Sequence, residues 1–221
     1  MNMNIFSKTN SNSIYLWFYP LNHNFEFNTI EEKNWAKKLR EKRANEYLKG
    51  RAALRKSLSE TFDIDPLKLE IFSKPGVPPY MLNNEFGNIN ISHCNDAILI
   101  GWSKNTIGID IERNSRDVDV CLLFNKIFSK SEKVNFDNTL SMDRFILGWT
   151  CKESAVKWEK KSLFPNIKYW LWDYSTNRIH NIKSNIDLKL VNYFYKDWIL
   201  TAAFQDNDFE KNNNVRVVTN F

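Results

Sequence analysis

The sequence has few cysteines and no long apolar run, and both absences narrow the class of protein. Its three cysteines, Cys94, Cys121 and Cys151, are isolated and form no C-x-x-C pair. Neither a disulfide framework nor a zinc site is therefore expected, and we predict free thiols. The sequence contains no run of about 18 apolar residues, which argues against a membrane span. The Asn-rich residues 1–12 do not have the pattern of a secretory signal. The expected location is the cytoplasm.

Composition indicates a folded, moderately basic protein. The 221 residues are 43% hydrophobic and 14% aromatic, which is enough to bury a sizeable core in one large domain or two small ones. Lys and Arg total 31 and Asp and Glu total 26, a net charge of +5. This excess would attract nucleic acid, anionic lipid or an acidic protein, and charge alone does not choose among them.

Periodicity and turn residues predict an α+β chain with antiparallel sheets. The Leu-, Ala- and charge-rich residues from Glu31 to Phe62 predict a helix, with a kink or break at Gly50. The other predicted helices are Val118–Lys130 and Met142–Lys160, and the predicted strands are Ser13–Tyr19, Leu67–Phe72, Ile89–Ser92, Ala97–Trp102, Thr106–Glu112, Tyr169–Tyr174, Ile186–Tyr195 and Trp198–Phe204.

Breaks between these segments suggest how the chain is organised. The dipeptides at 95–96 and 104–105 suit tight antiparallel connections. We place a boundary between residues 1–104 and 105–221, with a polar tail from about residue 205. In a continuous helix, Arg40, Arg43, Arg51 and Arg55 would form one basic stripe within an arc of roughly 120°. A solvated helix face shows the same pattern.

The segment Gly108-Ile-Asp-Ile-Glu places two carboxylates two residues apart on a strand. Asp110 and Glu112 then leave the same face, while Ile109 and Ile111 enter the core. Two adjacent carboxylates repel each other unless a cation lies between them, and Mg²⁺ prefers such oxygen ligands. The same pattern is also common on solvated strand faces.

Two further motifs carry a histidine, an acid and lysines. Trp149-Thr-Cys-Lys-Glu-Ser-Ala-Val-Lys puts Trp149, Glu153 and Lys157 on one side of a helix, where the acid and lysine also suit an ordinary ion pair. Asn90-Ile-Ser-His puts His93 at a strand end, where a hydrogen-bonded structural role is common.

The combination and order of the three motifs resemble the signature of the 4′-phosphopantetheinyl transferases, specifically the surfactin-synthetase-activating (Sfp) type. Three weaker similarities occur in the same order along the chain: Leu48-Lys-Gly-Arg51, the Pro-rich loop at residues 74–80 and Phe128-Ser-Lys-Ser-Glu132. The resemblance runs from about Ser13 to Phe204. It implies two similar α+β halves in a pseudo-dimer, with coenzyme A and a metal in the cleft between them, and a monomeric protein.

The resemblance also implies an activity. The phosphopantetheine arm of coenzyme A is transferred to a serine of an apo acyl or peptidyl carrier protein, in a Mg²⁺-dependent reaction that releases adenosine 3′,5′-bisphosphate; Mn²⁺ could replace Mg²⁺. Fatty-acid, polyketide and nonribosomal peptide synthesis use such carriers. Neither nucleic acid nor a membrane is an expected partner. Carrier proteins are generally acidic, which suits a basic enzyme.

Residue roles follow from the matched motifs. The implied metal ligands are Asp110, Glu112 and Glu153. The implied catalytic residues are Glu153, as general base either directly or through a metal-bound water, and Lys157 as charge stabiliser. The implied coenzyme A ligands are Arg51, Lys74, Ser92, His93, Lys152 and Lys157.

Two departures affect the nucleotide contacts. The family's loop usually reads Gly-Lys-Pro, whereas Val77 replaces the lysine here and Lys74 lies just upstream. Glu46 also lies where some members of the family have a basic residue, and its negative charge would repel the nucleotide. Arg43, Arg51 or Arg55 would then have to bind the 3′-phosphate.

Other readings remain open at this stage. A Mg²⁺-dependent nuclease would use similar groups, although its usual lysine two residues after a strand acid is absent, since Arg113 and Asn114 follow Glu112. A nucleic-acid binder would need only the positive charge and exposed aromatics. Nucleophilic catalysis by Cys94 or Cys151 lacks a visible activating base. The apolar residues Leu122, Leu123, Ile127 and Phe128 fit either a carrier-docking face or buried core.

Overall fold

The computed structural model describes residues 13–116, 119–134, 136, 141–206 and 215–219. Within them the chain is α+β, as predicted, and divides into two compact units. Unit 1 comprises residues 1–105 and 210–221, and unit 2 comprises residues 106–209. Most of the predicted tail, namely residues 207–214 and 220–221, lies outside the described residues. The same holds for residue 117 and for Val118, at which the second helix was predicted to start.

The helices and strands have the following bounds. The helices are α1 (Ile30–Ala36), α2 (Glu41–Phe62), α3 (Val120–Ile127), α4 (Lys130–Val134), α5 (Met142–Trp158) and α6 (Leu163–Asn166). The strands are β1 (Ile14–Pro20), β2 (Ile71–Phe72), β3 (Tyr80–Met81), β4 (Asn88–His93), β5 (Ala97–Ser103), β6 (Gly108–Arg113), β7 (Trp170–Asp173), β8 (Arg178–Asn181), β9 (Ile186–Tyr195), β10 (Trp198–Phe204) and β11 (Val215–Val218).

Unit 1 packs the long helix α2 against a four-stranded sheet of order β11-β1-β5-β4. β1 is buried along almost its whole length, which its aromatic and β-branched sequence favours. Its core brings Leu54 and Leu58 of α2 together with Trp17, Ile100 and Trp102 of the sheet. The small hairpin β2-β3 completes the unit.

Unit 2 packs α5 against an antiparallel five-stranded sheet of order β6-β10-β9-β8-β7. α5 begins after Ser141, whose side chain accepts a hydrogen bond from the Arg144 backbone N–H, the usual N-cap arrangement. Its apolar side, including Phe145 and Ile146, lies in a core with Trp170 and Leu188. α5 and β6 also contact each other closely, and these two elements carry the candidate site.

The structure differs from the sequence-based expectations in four places. The first predicted helix is interrupted at residues 37–40, where Arg40 is extended, and it continues through Gly50. The break at 104–105 is not a hairpin, because β5 pairs with β1 and β4 whereas β6 pairs with β10. Of the predicted strand Leu67–Phe72 only β2 forms a paired strand, since Pro66–Lys68 forms a 3-10 turn. β11 lies beyond residue 205 and pairs in parallel with β1, an exception to the antiparallel pattern.

Candidate functional site

A close approach between β6 and α5 positions the acidic side chains of unit 2. Gly108 opens β6, and a Cβ atom at this position would lie 1.9 Å from the Ser154 carbonyl oxygen and 2.5 Å from the Trp158 backbone nitrogen. Only glycine therefore allows the strand to run so near the helix. The motif glycine thus brings Asp110 of the strand beside Glu153 and Lys157 of the helix.

Lys157 joins the carboxylates of the strand and the helix. Its Nζ atom donates a hydrogen bond to Oδ1 of Asp110 at 2.6 Å and lies 3.6 Å from Oε2 of Glu153. The carboxylate of Glu112 accepts a hydrogen bond from the Arg116 guanidinium. Each of the three predicted metal ligands therefore lies beside a positively charged side chain of the same unit.

Burial gives these acids an unusual protonation equilibrium. Burial, and then repulsion from Asp110, raise the pKa of Glu112 to about 7. Burial, and then repulsion from Asp110, raise the pKa of Glu153 to about 8, although the positive charge of Lys157 acts in the opposite direction. Burial acts to lower the pKa of Lys157, but the negative charges of Asp110 and Glu153 together outweigh it, so the pKa is raised. A cluster of this kind favours added positive charge.

The donor chemistry of the cluster fits a hard divalent cation. Three carboxylates supply oxygen ligands of the type that Mg²⁺ takes in proteins, and the Lys157 ammonium shows that a cation is already accepted beside Asp110 and Glu153. Among the side chains that the structure describes, however, no three His, Cys, Asp or Glu residues are arranged as a ready metal cluster. The positions of Lys157 and Arg116 are consistent with this result, because each one engages a carboxylate.

Lys152, a predicted coenzyme A ligand, is not part of this cluster. Its side chain is fully buried, and its Nζ atom donates to both carboxylate oxygens of Glu132 at 2.8 Å. The ammonium also lies 5.0 Å from the centre of the Phe128 ring. Glu132 accepts further hydrogen bonds from the backbone N–H groups of Ser129 and Trp172. The Lys152–Glu132 pair therefore ties α4, α5 and β7 together, and its position is structural.

Unit 1 contains a separate pocket of about 280 Å³ between α2, the Pro-rich loop and β4. Two predicted coenzyme A ligands, Arg51 and His93, line it. Arg43 also lines it, donating to Nε2 of His93 at 3.2 Å and pairing with Glu46 at 3.4 Å. Arg43 thus neutralises the acid that the sequence presented as a repulsive neighbour of the nucleotide.

Arg51 is held in place by neighbouring groups. Its Nε atom donates to the Ser73 carbonyl oxygen at 3.2 Å, and its guanidinium lies 5.0 Å from the centre of the Tyr47 ring. Burial lowers the pKa of Arg51, although Tyr47 and Glu32 oppose this effect. An arginine remains charged at neutral pH in such surroundings, so the pocket can hold an anion.

Three other candidates of unit 1 do not line this pocket. Lys74 is exposed and Ser92 is buried, and neither borders the pocket. Arg55 is fully engaged with Glu32, at 3.1 Å, and with the carbonyl oxygens of Pro66 and Leu69 at 2.9 Å. Of the basic stripe predicted on α2, Arg43 and Arg51 line the pocket, whereas Arg40 is the N-cap residue before the helix.

The apolar residues after β6 belong mainly to the core. Ile127 and Phe128 are buried and Leu123 is partly buried against the same cluster, whereas Leu122 is 56% exposed. Cys151 is fully buried, and burial strongly raises the pKa of its thiol, which disfavours a nucleophilic role. Two features that sequence reasoning missed are the Arg116–Glu112 pair, which the turn after β6 brings together, and the Arg43–His93 contact, which depends on tertiary structure.

Comparison with known proteins agrees with the geometry of unit 2. Residues 106–203 match the family model described as the 4′-phosphopantetheinyl transferase superfamily. The match covers nearly all of unit 2, including β6 and α5 with their acidic residues. The matched segment is less than half of the 221 residues, and it shows a similarity of unit 2 to this superfamily of transferases. No curated protein matched the chain. In the part of the chain that the structure describes, helices fall short of the length and apolar character needed to cross a membrane.

Proposed function

We propose that the protein transfers the phosphopantetheine arm of coenzyme A to a serine of an apo acyl or peptidyl carrier protein, as a transferase of the Sfp type. The observation that carries this proposal is the cluster of Asp110, Glu153 and Lys157 inside the segment that matches the superfamily. We further propose a divalent cation, Mg²⁺ or Mn²⁺, held by Asp110, Glu112 and Glu153. Such an ion would neutralise charge on the diphosphate of coenzyme A.

The pocket of unit 1 supports a role in binding coenzyme A. Arg43 and Arg51 are both placed to meet an anion there, and planar guanidinium groups suit phosphate oxygens. We assign the 3′-phosphate to these two arginines, with His93 at the pocket wall. Ser92 and Lys74 remain candidate phosphate contacts, because each adjoins a lining residue of this pocket in the chain, whereas Lys152 pairs with Glu132.

The chain's own residues supply the other requirements of the reaction. The serine oxygen of the carrier forms a bond to the β-phosphorus of coenzyme A, while the bond from this phosphorus to the bridging oxygen breaks and adenosine 3′,5′-bisphosphate leaves. Lys157 stabilises the phosphate charge that develops. Glu153 would accept the serine proton, since its carboxylate lies in the same cluster as Lys157 and Asp110.

The remaining parts of the proposal concern partners and location. The net charge of +5 favours encounter with an acidic carrier protein. We propose a monomer that works in the cytoplasm. A Mg²⁺-dependent nuclease is the competing hypothesis, and the match to the transferase superfamily over residues 106–203 favours transfer instead.

The test is a mass measurement on the carrier. An apo carrier incubated with the protein, coenzyme A and Mg²⁺ should gain the mass of one phosphopantetheine group. Asp110→Asn should reduce the rate by about 100-fold or more, because it removes a charge that faces Lys157 and the proposed cation. Asp187→Asn is the matched control, since Asp187 is exposed and pairs with His180 of the same unit, and it should transfer normally. Transfer at the normal rate by Asp110→Asn would refute the assignment of the site.

A further inference from the structure

Glu112 is held by an arginine that follows the Gly108–Glu112 motif and lies within the segment that matches the superfamily. Arg116 follows the end of β6 by three residues, and its guanidinium donates a hydrogen bond to Oε1 of Glu112. The guanidinium carbon also lies 5.6 Å from the centre of the Trp149 ring. Arg116 is therefore bound on one side to a proposed metal ligand and on the other to the first residue of the Trp149–Lys157 motif.

The charge of Arg116 matters for a divalent cation at Glu112, because a guanidinium stays charged at all ordinary pH values. A cation that binds Glu112 must therefore approach a permanent positive charge unless Arg116 moves. The Arg116 side chain is 38% exposed, so it has room to move, and the face of Trp149 offers it a favourable resting place.

We propose that Arg116 is a positioning residue that holds Glu112 in the absence of a divalent cation and releases it when the cation binds. The inference rests on the proposed function, because it assumes that Glu112 is a ligand. Arg116 then sets the cation affinity: it keeps the Glu112 carboxylate in place, and the same contact competes with the metal.

The test measures cation affinity directly, without turnover. Mn²⁺ binding to the intact protein would be followed by electron paramagnetic resonance, and Mg²⁺ binding by calorimetry. Arg116→Gln should lower the dissociation constant by roughly two- to fivefold, the range expected for loss of a partly exposed charge pair. Arg116→Met keeps an apolar stem against Trp149 and should give the same shift, so that a packing defect in one variant does not decide the result.

Arg113→Gln is the matched control. It removes the same charge one position after Glu112, but Arg113 pairs with Asp197 at 3.6 Å and its guanidinium carbon lies 4.8 Å from the centre of the Trp198 ring. A general change in net charge would shift both variants alike, whereas the proposal predicts a larger shift for Arg116→Gln. In a Glu112→Gln background, Arg116→Gln should give no further gain in affinity.

The outcomes separate this inference from the proposed function. Equal shifts for the two arginine variants, weaker binding by Arg116→Gln and Arg116→Met, or a gain that persists without the Glu112 carboxylate would each overturn the role of Arg116. The proposed transferase would stand in those cases if the wild type still binds the cation. Absence of cation binding by every variant would overturn both the Arg116 inference and the proposed metal site.

Discussion

Replacing Lys152 by methionine should destabilise the protein strongly without removing a ligand contact. The substitution nearly preserves side-chain size but leaves the Glu132 carboxylate buried without its charged partner. The exposed fractions are 0% for the Lys152 side chain and 4% for the Glu132 side chain. Solvent therefore cannot replace the lost ammonium, and breaking a buried pair of this kind costs about 3–5 kcal/mol of unfolding free energy.

A surface pair provides the scale for comparison. Lys189 and Asp206 lie 3.8 Å apart and are about half exposed, with exposed fractions of 52% and 47%. Lys189→Met should cost no more than about 1 kcal/mol, as exposed ion pairs generally contribute little. The double variant Lys152→Met/Glu132→Gln removes both buried charges. Its cost should be smaller than the sum of the two single substitutions by at least about 1 kcal/mol.

Urea unfolding followed by tryptophan fluorescence measures these free energies, and coenzyme A binding measures any effect on the ligand. A Lys152→Met protein that remains folded at low temperature should bind coenzyme A with wild-type affinity, because the lysine contacts Glu132 instead of the ligand. A loss of stability below about 1 kcal/mol, or a selective loss of coenzyme A affinity in a stable protein, would refute this reasoning.

Two further predictions concern packing and pH. Gly108→Ala should lower the free energy of unfolding in urea by about 1–3 kcal/mol, since its Cβ would lie 1.9 Å from the Ser154 carbonyl oxygen. Gly50→Ala should instead stabilise helix α2 by about 0.5–1 kcal/mol. The reverse order of stability would contradict the close packing of β6 on α5. In EDTA, the melting temperature of the wild type should fall relative to that of Glu153→Gln as the pH rises from about 4.5 towards 8. The reason is that folded Glu153, with its pKa raised to about 8, keeps a proton that the unfolded chain has released, and Glu112, with a pKa of about 7, behaves in the same way. A difference in melting temperature between the two proteins that is constant with pH, or that changes in the opposite direction, would contradict the buried, protonated state.

Local sequence signals predicted the elements that carry the site. The strand around Asp110 and the helix around Glu153 lie close to their predicted bounds. Apolar and acidic residues alternate in the strand, and Ser141 caps the start of the helix. The glycine at 108 also has a local meaning once the contact with α5 is known. The α+β class followed from these patterns and was confirmed.

Long-range partners could not be predicted in the same way. Lys152 is adjacent to Glu153 in the motif, but a buried carboxylate 20 residues earlier determines where its ammonium lies. Arg55 belongs to the same periodic stripe as Arg51, yet it is buried against Glu32. Strand β11 is four residues long and finds its partner β1 about 200 residues earlier in the chain. Such contacts depend on tertiary packing, which neither propensity nor spacing encodes.

The most direct test of the central claim quantifies both products of one reaction, with and without a divalent cation. Apo carrier protein, coenzyme A and the enzyme should yield modified carrier and adenosine 3′,5′-bisphosphate in equal amounts, and EDTA should stop both until Mg²⁺ or Mn²⁺ is added in excess. Cleavage of coenzyme A without modification of any carrier, or transfer that continues undiminished in EDTA, would contradict the account.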